Sequence, residues 1–272
     1  MLTRLLGPPG RRSEVWRDRK ERALIASRAH RPTYRRTWID VGAYGGEFTL
    51  GPAAAHRRSL LVYAFEPNPV AACALAGRLA NYVVLPFAVA ETDGSATFHV
   101  NSFSASSSLL ELDPDGASQW EGGELLREEG AITVPTVRLD TFMEAASIGR
   151  VDLLKVDAQG ADLQVLRSAG SRIDDVRQIL VEAPTVDFDL YVGGARREEI
   201  IAYLTDRGFR LVGSQSQSQG QEENLLFERD RSSTAGDHGR PLGDSPSAAG
   251  FPRSTSGRRM HSRVGTNPGD AD

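Results

Sequence analysis

An α/β domain built from βαβ units is the fold class that this sequence predicts, on three observations. Short, nearly continuous apolar runs, typical of strands buried on both faces of a parallel sheet, recur along the middle of the chain. Helix-like segments separate these runs, as βαβ units require. Acidic residues or glycines follow several runs, at the strand ends where ligands bind in such sheets. At 272 residues the chain is long enough for one large domain with loose ends.

The first half of the middle segment predicts three strands and two helices. Each strand is an apolar run, and turn residues such as glycine or proline separate it from the next element. In chain order they are a strand at 38–41, a helix at 47–56, a strand at 60–65, a helix at 70–80 and a strand at 82–85. The first helix is interrupted near Gly51 and Pro52, because both residue types disfavour a helix interior. The third strand continues through residues 87–89.

The second half predicts the rest of the sheet and its helices. In chain order these are strands at 96–100 and 151–156, a helix at 161–169, a strand at 178–181, a helix at 196–207 and strands at 209–212 and 225–227. We expect the last of these strands to form the edge of the sheet. An insertion at 101–131, rich in serine and then in acids, interrupts the βαβ order; polar loops over a rigid sheet commonly carry substrate contacts.

Charge divides the chain into three parts. Residues 1–36 form a basic, partly helical arm with a net charge of +8, and residues 37–229 form the domain with a net charge of −13. Residues 230–272 are rich in Gly, Pro and Ser and have too few apolar groups to offset the entropy of ordering, which predicts a disordered tail. The acidic domain argues against nucleic acid as the main partner, because phosphates need a basic surface.

The composition also predicts where the protein works. Cys73 is the single cysteine, so no disulfide can form within the chain, and a reducing compartment is the simpler interpretation. No apolar run approaches the ~18 residues of a membrane helix, and the N-terminus lacks the apolar core of a signal peptide. We therefore expect a cytoplasmic protein without membrane contact. Zinc is not expected, because the histidines are dispersed and one Cys completes no ligand set.

The ends of the first two strands indicate the class of ligand. Asp40 and Gly42 end the first strand in a loop that lacks the Gly-x-Gly-x-x-Gly spacing of dinucleotide sites. Glu47 then opens the next helix, where an anion-binding site avoids negative charge. Glu66 ends the second strand, and its carboxylate can accept both hydroxyls of a ribose, although such an acid is often only a cap. Together these residues favour a nucleoside with an amino acid and no phosphate, which is S-adenosylmethionine.

Five motifs in order make the middle of the chain resemble the FkbM-type family of S-adenosylmethionine-dependent methyltransferases. The motifs are Asp-Val-Gly-Ala at 40–43 with Gly46 and Thr49, Ala-Phe-Glu-Pro-Asn-Pro at 64–69, Ser-Ser-Ser-Leu at 106–109, Val-Pro-Thr-Val-Arg-Leu-Asp at 134–140 and the segment at 151–162. The resemblance implies a class I methyltransferase fold, a seven-stranded, mostly parallel sheet with helices on both faces. It also implies methyl transfer to a hydroxyl of a sugar, polyketide or similar product of secondary metabolism.

The resemblance implies a set of cofactor contacts. Asp40 and Gly42 lie against the methionine part, Glu66 holds the ribose, and residues 87–89 run beside the adenine. The full set of expected cofactor-binding residues is Asp40, Gly42, Ala43, Tyr44, Gly46, Glu66, Pro67, Phe87 and Ala88. This sequence differs from the family pattern at Tyr44 and Gly45, where Asn and an aliphatic residue are usual, and at Gln159, where Glu is often found.

Three residues near the last parallel strands are candidates for catalysis. Asp157 is our first choice as the base that removes the acceptor proton. Lys155 points to the same face and either raises the acidity of the acceptor or pairs with Asp157. Glu182 is either a second carboxylate of the site or a cap, and His99 is the runner-up base. Two carboxylates suit Mg²⁺, but we do not expect the ion, because no third ligand is evident.

Substrate contacts are expected from the insertion. Ser106, Ser107 and Ser108 would hydrogen-bond a small, hydroxyl-rich acceptor. Two other functions fit the same strand pattern: a nicotinamide-dependent oxidoreductase, and a binding protein that keeps the methyltransferase fold without catalysis. The sequence carries no signal for the oligomeric state.

Overall fold

A computed structural model describes residues 34–230 of the chain. The predicted basic arm up to residue 33 and the predicted tail from residue 231 lie outside the described residues. The strands are β1 (Arg36–Val41), β2 (Leu60–Phe65), β3 (Tyr82–Leu85), β4 (Ala88–Val89), β5 (Gly94–Asn101), β6 (Glu128–Val137), β7 (Leu153–Val156), β8 (Gln178–Pro184), β9 (Phe209–Gln217) and β10 (Glu222–Arg229). The α-helices are α1 (Leu50–Ala55), α2 (Pro69–Leu75), α3 (Pro114–Gln119), α4 (Leu139–Ala145), α5 (Asp162–Ser168) and α6 (Arg197–Asp206).

Seven strands form the main sheet in the order β3-β2-β1-β7-β8-β10-β9. Strands β3, β2, β1, β7 and β8 are parallel to one another, while β10 is antiparallel to both β8 and β9. This arrangement confirms the predicted class I methyltransferase fold, with its single antiparallel strand. The chain order reverses between β1 and β7, and ligands bind at such a switch point, beyond the carboxyl ends of the strands.

Apolar side chains cover both faces of this sheet. In β2 the alternating residues Leu60, Val62 and Ala64 pack with Ala53 of α1 and Leu75 of α2. The next residue, Phe65, points to the opposite face and joins the larger core, to which helices α4, α5 and α6 contribute. The helices therefore lie on both faces, and the carboxyl edge of the sheet is left open.

Two predictions about strands are wrong. Residues 87–89 do not continue β3, because Ala88–Val89 forms β4 of a second sheet with the order β4-β6-β5. The strand predicted at 225–227 is not the edge strand: β10 lies between β8 and β9, and β9 forms the edge. Both errors have one cause, since an apolar run predicts a strand but does not specify its partners.

Two helices differ from their predicted bounds, and one strand was missed. Helix α1 begins only at Leu50 and is not interrupted, because Gly51 and Pro52 occupy its first turn, where proline removes no helical hydrogen bond. Helix α2 ends at Leu75 instead of residue 80, shortly before Gly77 at φ +76°. Strand β6 begins within the insertion predicted at 101–131, and its exposed polar half carries no apolar signal.

Candidate active site

A cavity of about 1270 Å³ opens at the carboxyl edge of the sheet. Its walls come from the ends of β1, β2, β7 and β8, from residues 103–109 and 120–126, and from the β9–β10 hairpin. Among the residues expected to bind the cofactor, those lining this cavity are Asp40, Gly42, Ala43, Tyr44, Glu66, Pro67, Phe87 and Ala88. The three catalytic candidates Lys155, Asp157 and Glu182 line it as well. The fold thus gathers into one cleft residues that are far apart in sequence.

Asp40 is a buried carboxylate at the floor of the cleft, only 1% exposed. Its Oδ2 atom accepts a hydrogen bond from the Thr49 hydroxyl, which also lies 2.8 Å from the Tyr82 hydroxyl. Its Oδ1 atom has no hydrogen-bond partner within the described part of the chain, although the Lys155 ammonium lies 3.3 Å away. The Asp40 carboxylate therefore retains hydrogen-bonding capacity and negative charge beside the cleft.

Glycine is required at two positions of the loop after β1, for different reasons. Gly42 has φ +72°, and a Cβ there would lie 1.8 Å from the backbone oxygen of Asp157, so the loops after β1 and β7 touch. Gly46 also has φ +72°, but a Cβ there would meet Leu50, Leu75 and the Tyr82 hydroxyl at 3.0–3.3 Å. Gly46 lies against α1 and α2 and does not line the cleft, so in this structure it is a packing residue.

Glu66 is a second buried carboxylate, 5% exposed, at the end of β2. It accepts the backbone N–H of Tyr44 at 2.6 Å and that of Asn68 at 2.8 Å, so it joins the loops after β1 and β2. Burial raises the pKa of Glu66, and the two N–H donors and the charge of Lys155 offset part of this effect. The side chain is thereby held in one orientation at the cleft wall.

Lys155 is the centre of the charged part of the cleft. Its Nζ atom lies 3.3 Å from both Asp40 Oδ1 and Asp157 Oδ2 and donates to the Gly42 carbonyl at 2.8 Å. Burial works to lower the pKa of Lys155, but the charges of Asp157 and Asp40 outweigh it and hold the pKa above its usual value. An ammonium has three donors, and here they face Asp40, Asp157 and Gly42. This geometry favours the role of Lys155 as the partner that holds Asp157 over a role in activating the acceptor.

Gln159 bridges the two carboxyl groups at the ends of β7 and β8. Its amide nitrogen donates to Asp157 at 2.7 Å and to Glu182 at 3.0 Å, and its amide oxygen accepts from the Tyr191 hydroxyl at 2.9 Å. Gln159 has φ +53°, a left-handed conformation that aims its side chain back over the strand end. Sequence reasoning missed Tyr191, whose hydroxyl also lies 2.7 Å from the Ser106 carbonyl and shares its single proton between the two oxygens, because nothing in its neighbourhood marks it as a site residue.

Asp157 and Glu182 have opposite pKa shifts. Burial tends to raise the pKa of Asp157, but Lys155 and the Gln159 amide prevail and lower it. Burial raises the pKa of Glu182 well above its usual value, and the charges of Asp157 and Glu222 raise it further. The fold therefore favours the ionised form of Asp157 and the protonated form of Glu182, and two neighbouring acids with pKa values pushed apart suit proton transfer.

Glu222, at the start of β10, is a third acid that sequence reasoning missed. It lines the cleft and accepts a hydrogen bond from the Ser218 hydroxyl at 2.6 Å. Burial, followed by the charges of Asp157 and Asp162, raises the pKa of Glu222 to about 7. The only signal for it was a strand predicted to start three residues later, which left Glu222 in a loop.

The three serines of the insertion are placed differently. Ser106 and Ser107 line the cleft, but the Ser106 hydroxyl donates to the Phe103 carbonyl and the Ser107 hydroxyl accepts from the Asn101 N–H. Ser108 is 1% exposed and donates to the Gln159 carbonyl at 2.7 Å, outside the cleft lining. The hydroxyls of Ser106 and Ser107 therefore bond within the segment 101–107, and only that of Ser108 joins the insertion to the loop after β7.

His99, the runner-up base, lies 3.0 Å from Glu128 on the second sheet and is not among the residues that line the cleft. Within residues 34–230, no three or more His, Cys, Asp or Glu side chains are grouped so that they could hold a metal ion. In the same range, no helix has the length and apolar character needed to cross a membrane.

Comparison with known proteins gives relatives of low identity. The chain is 28% identical over 159 residues to the 2-O-methyltransferase NoeI of Sinorhizobium fredii, which is 56% of this chain and 63% of that protein. It is 25% identical over 125 residues to the hexuronic acid methyltransferase AglP of Haloferax volcanii, covering 44% of this chain and 46% of that protein. The chain thus spans less than two thirds of the length of either relative.

Among solved structures, methyltransferase FkbM from Methylobacillus flagellatus matches with a TM-score of 0.43 and 12% identity, over 71% of this chain and 43% of that one. A model of a protein family matches a long continuous segment of the chain. Residues 40–211, more than half of the chain, match the model of the methyltransferase FkbM domain, from Asp40 at the cleft floor to the edge strand β9. The chain belongs to the FkbM methyltransferase family.

Proposed function

We propose that this protein is an S-adenosylmethionine-dependent O-methyltransferase that transfers a methyl group to a hydroxyl of a small metabolite. The observation that carries the proposal is the meeting of three strand ends in one cleft. Asp40 is the last residue but one of β1, Glu66 directly follows β2 and Asp157 directly follows β7, and all three residues line the same cavity. Glu66 is a suitable neighbour for the ribose of a nucleoside, Asp40 for its cationic substituent, and Asp157 for a reacting hydroxyl.

The residues present fit this cofactor. Asp40 Oδ1 has an ion pair with Lys155 at 3.3 Å but no hydrogen bond in the described structure, so a lone pair remains for the cationic part of a ligand. Each oxygen of Glu66 accepts a single backbone N–H, and a carboxylate oxygen has lone pairs for one more donor, such as a ribose hydroxyl. Phe87 and Ala88 offer an apolar wall to a base. When bound, the sulfonium would supply an already activated methyl group.

The protein's own contribution is alignment and one proton transfer. A cleft that holds the donor and the acceptor in line can lower the barrier by about 7–11 kcal/mol. The Asp157 carboxylate, kept ionised by Lys155 and oriented by Gln159, takes the proton that the attacking hydroxyl loses. A base of this kind contributes about 10²–10⁴-fold in general.

The names of two relatives support the proposed class of acceptor. One relative is a 2-O-methyltransferase and another is a hexuronic acid methyltransferase, and both names describe small hydroxylated compounds or positions on them. We extend this class to the present protein as a sugar, polyketide or other natural product with a free hydroxyl. The position of Glu47 in the cleft lining argues against the alternative, a dinucleotide-dependent oxidoreductase, whose pyrophosphate would face this acid.

Calorimetric titration with S-adenosylmethionine tests the proposal. We expect binding at tens of micromolar protein, weakened about tenfold or more in Glu66→Gln, because the ribose loses a charge-assisted acceptor. Glu91→Gln, at an exposed position outside the cleft, is the matched control and keeps the affinity of the native chain. Absence of heat with S-adenosylmethionine, or binding of NADH in its place, would overturn the proposal.

A further inference from the structure

A row of polar side chains leads from the candidate base to the edge of the sheet. Strand pairing places Glu182 of β8 beside Asn224 of β10, and Asn224 beside Gln215 of β9. Asp157 follows Val156, which pairs with Val181, so Asp157 stands next to Glu182 at the inner end of this row. All four residues line the cleft. At about 4.8 Å per strand, the row from Asp157 to Gln215 is about 14 Å long.

The β9–β10 hairpin, which carries the outer half of this row, is unusually polar. From Gly213 to Gln221 the sequence is Gly-Ser-Gln-Ser-Gln-Ser-Gln-Gly-Gln, without an aliphatic or aromatic side chain. Gln215, Gln217 and Asn224 are half-buried and line the cleft, yet their side-chain amides make no hydrogen bond to any other residue in the range 34–230. Half-buried amides without protein partners are suited to bind a polar ligand, because each offers both donors and an acceptor.

The insertion fixes the position of this hairpin. The Gln221 side chain accepts the Glu121 N–H at 2.8 Å and donates to the Ser218 carbonyl at 3.2 Å. Trp120, next to Glu121, lines the same cleft and packs edge-to-face on Phe188, with 6.3 Å between ring centroids. The cleft therefore has amides on the hairpin side and an aromatic ring on the insertion side, anchored to each other.

The charges of the cleft exclude one class of acceptor. Of the described residues that line it, Lys155 alone carries a positive charge, and its ammonium already faces Asp40, Asp157 and Gly42. The lining contains seven acids, namely Asp40, Glu47, Glu66, Glu121, Asp157, Glu182 and Glu222. A carboxylated or phosphorylated acceptor would meet repulsion here without a cation to pair with. An amine meets no carboxylate along the outer part of the row, where Asn224 and Gln215 present neutral amides.

We propose that Gln215, Gln217 and Asn224 form the acceptor subsite and that it takes an uncharged, polyhydroxylated compound such as a neutral sugar. The amides bind the hydroxyls of the acceptor, and Trp120 covers its apolar face. This inference rests on the proposed function, since the row ends at the candidate base. It goes further in assigning residues of β9 and β10 to acceptor recognition and in excluding acidic sugars.

A methyl-transfer assay on sorted glycans tests the charge class. The full chain and methyl-labelled S-adenosylmethionine are incubated with three sets of immobilised glycans: neutral, uronic-acid-containing and amino-sugar-containing. We expect label on the neutral set, at least tenfold above the other two. Label confined to the charged sets, or no label on the neutral set while calorimetry shows S-adenosylmethionine binding, overturns the subsite. Absence of cofactor binding would instead remove the proposed function.

Variants of the hairpin test the residues themselves. Gln215→Ala and Asn224→Ala each remove one amide, and we expect KM for the best neutral glycan to rise about 3- to 10-fold, with the S-adenosylmethionine Kd unchanged. Ser214→Ala, on the same strand but outside the cleft lining, is the control and keeps the native KM. Gln217→Ala provides a second position in case either variant folds poorly. A KM within twofold of native in all folded variants contradicts the assignment.

Discussion

Asp157 and Glu182 are neighbouring acids with opposite pKa shifts, and the difference comes from their partners. Asp157 has the Lys155 ammonium at 3.3 Å, whereas Glu182 receives a neutral amide bond and faces other acids. Gln159 contacts both acids with one amide nitrogen. A Glu at this position would add a further acid beside a single cation. The glutamine therefore bridges the two acids without adding a third ionisable group between them.

This difference predicts opposite results for two isosteric substitutions. Asp157→Asn removes the proton acceptor, and we expect kcat to fall about 10²-fold, the lower end of the usual range, because a base with a lowered pKa is a weak one. Glu182→Gln replaces an acid whose pKa burial raises by a neutral amide of similar shape, and we expect kcat within a few-fold of native. Steady-state kinetics at pH 7.5 checks both. An equal loss in the two variants would contradict the assignment of the base.

At the scale of elements, the contact between the β1 and β7 loops depends on Gly42. A Cβ at this residue would lie 1.8 Å from the Asp157 carbonyl, and the backbone there has φ +72°. We expect Gly42→Ala to lower the free energy of unfolding by about 2–5 kcal/mol, from backbone strain and overpacking together. Gly51→Ala in α1 is the matched control, because nothing lies within 4 Å of its added Cβ. It should stabilise the chain by up to about 1 kcal/mol. Urea unfolding measures both, and similar values for the two variants would refute the close contact.

The sequence predicted the elements of the inner sheet better than those at its margins. The strand at 60–65 agrees with β2 to the residue, because it is a short apolar run between clear turn residues. The run at 82–85 agrees with β3, but its predicted continuation through residues 87–89 belongs to another sheet. The order of β10 and β9 was not predictable, since it depends on which strand pairs with β8. The amides of the hairpin were missed for a related reason: half of β9 has no apolar side chain and so carries no strand signal.

The same contrast holds for the site. Acids and glycines that directly follow apolar runs, such as Asp40, Gly42, Glu66 and Asp157, were predicted and line the cleft. Tyr191 stands in a loop, and its contact with Gln159, 32 residues away in sequence, is created by the fold alone. Local patterns therefore identify residues at strand ends, whereas contacts between distant loops need the three-dimensional structure.

At the scale of the whole molecule, residues 37–229 have a net charge of −13, and the seven acids and one lysine that line the cleft contribute −6 of it. The fold offsets part of this charge by keeping acids protonated. Burial raises the pKa of both Asp162 and Glu222 to about 7, against ordinary values of 3.8 and 4.5. A group that binds its proton more tightly in the folded state stabilises the fold at low pH, and this contribution is lost as the pH rises towards the folded-state pKa.

For Glu222 the window lies between pH 4.5 and about 7. We expect the free energy of unfolding of the native chain to fall across this range, and Glu222→Gln to reduce the fall, since the amide stays neutral and can still accept from the Ser218 hydroxyl. The difference between variant and native should be about 1–3 kcal/mol larger at pH 8 than at pH 4.5, allowing for partial solvent screening. Urea unfolding at both pH values measures it, with Glu124→Gln on the exposed surface as the control. Some fall should remain in Glu222→Gln because of Asp162. Parallel curves for native and variant would show that Glu222 ionises freely in the folded protein.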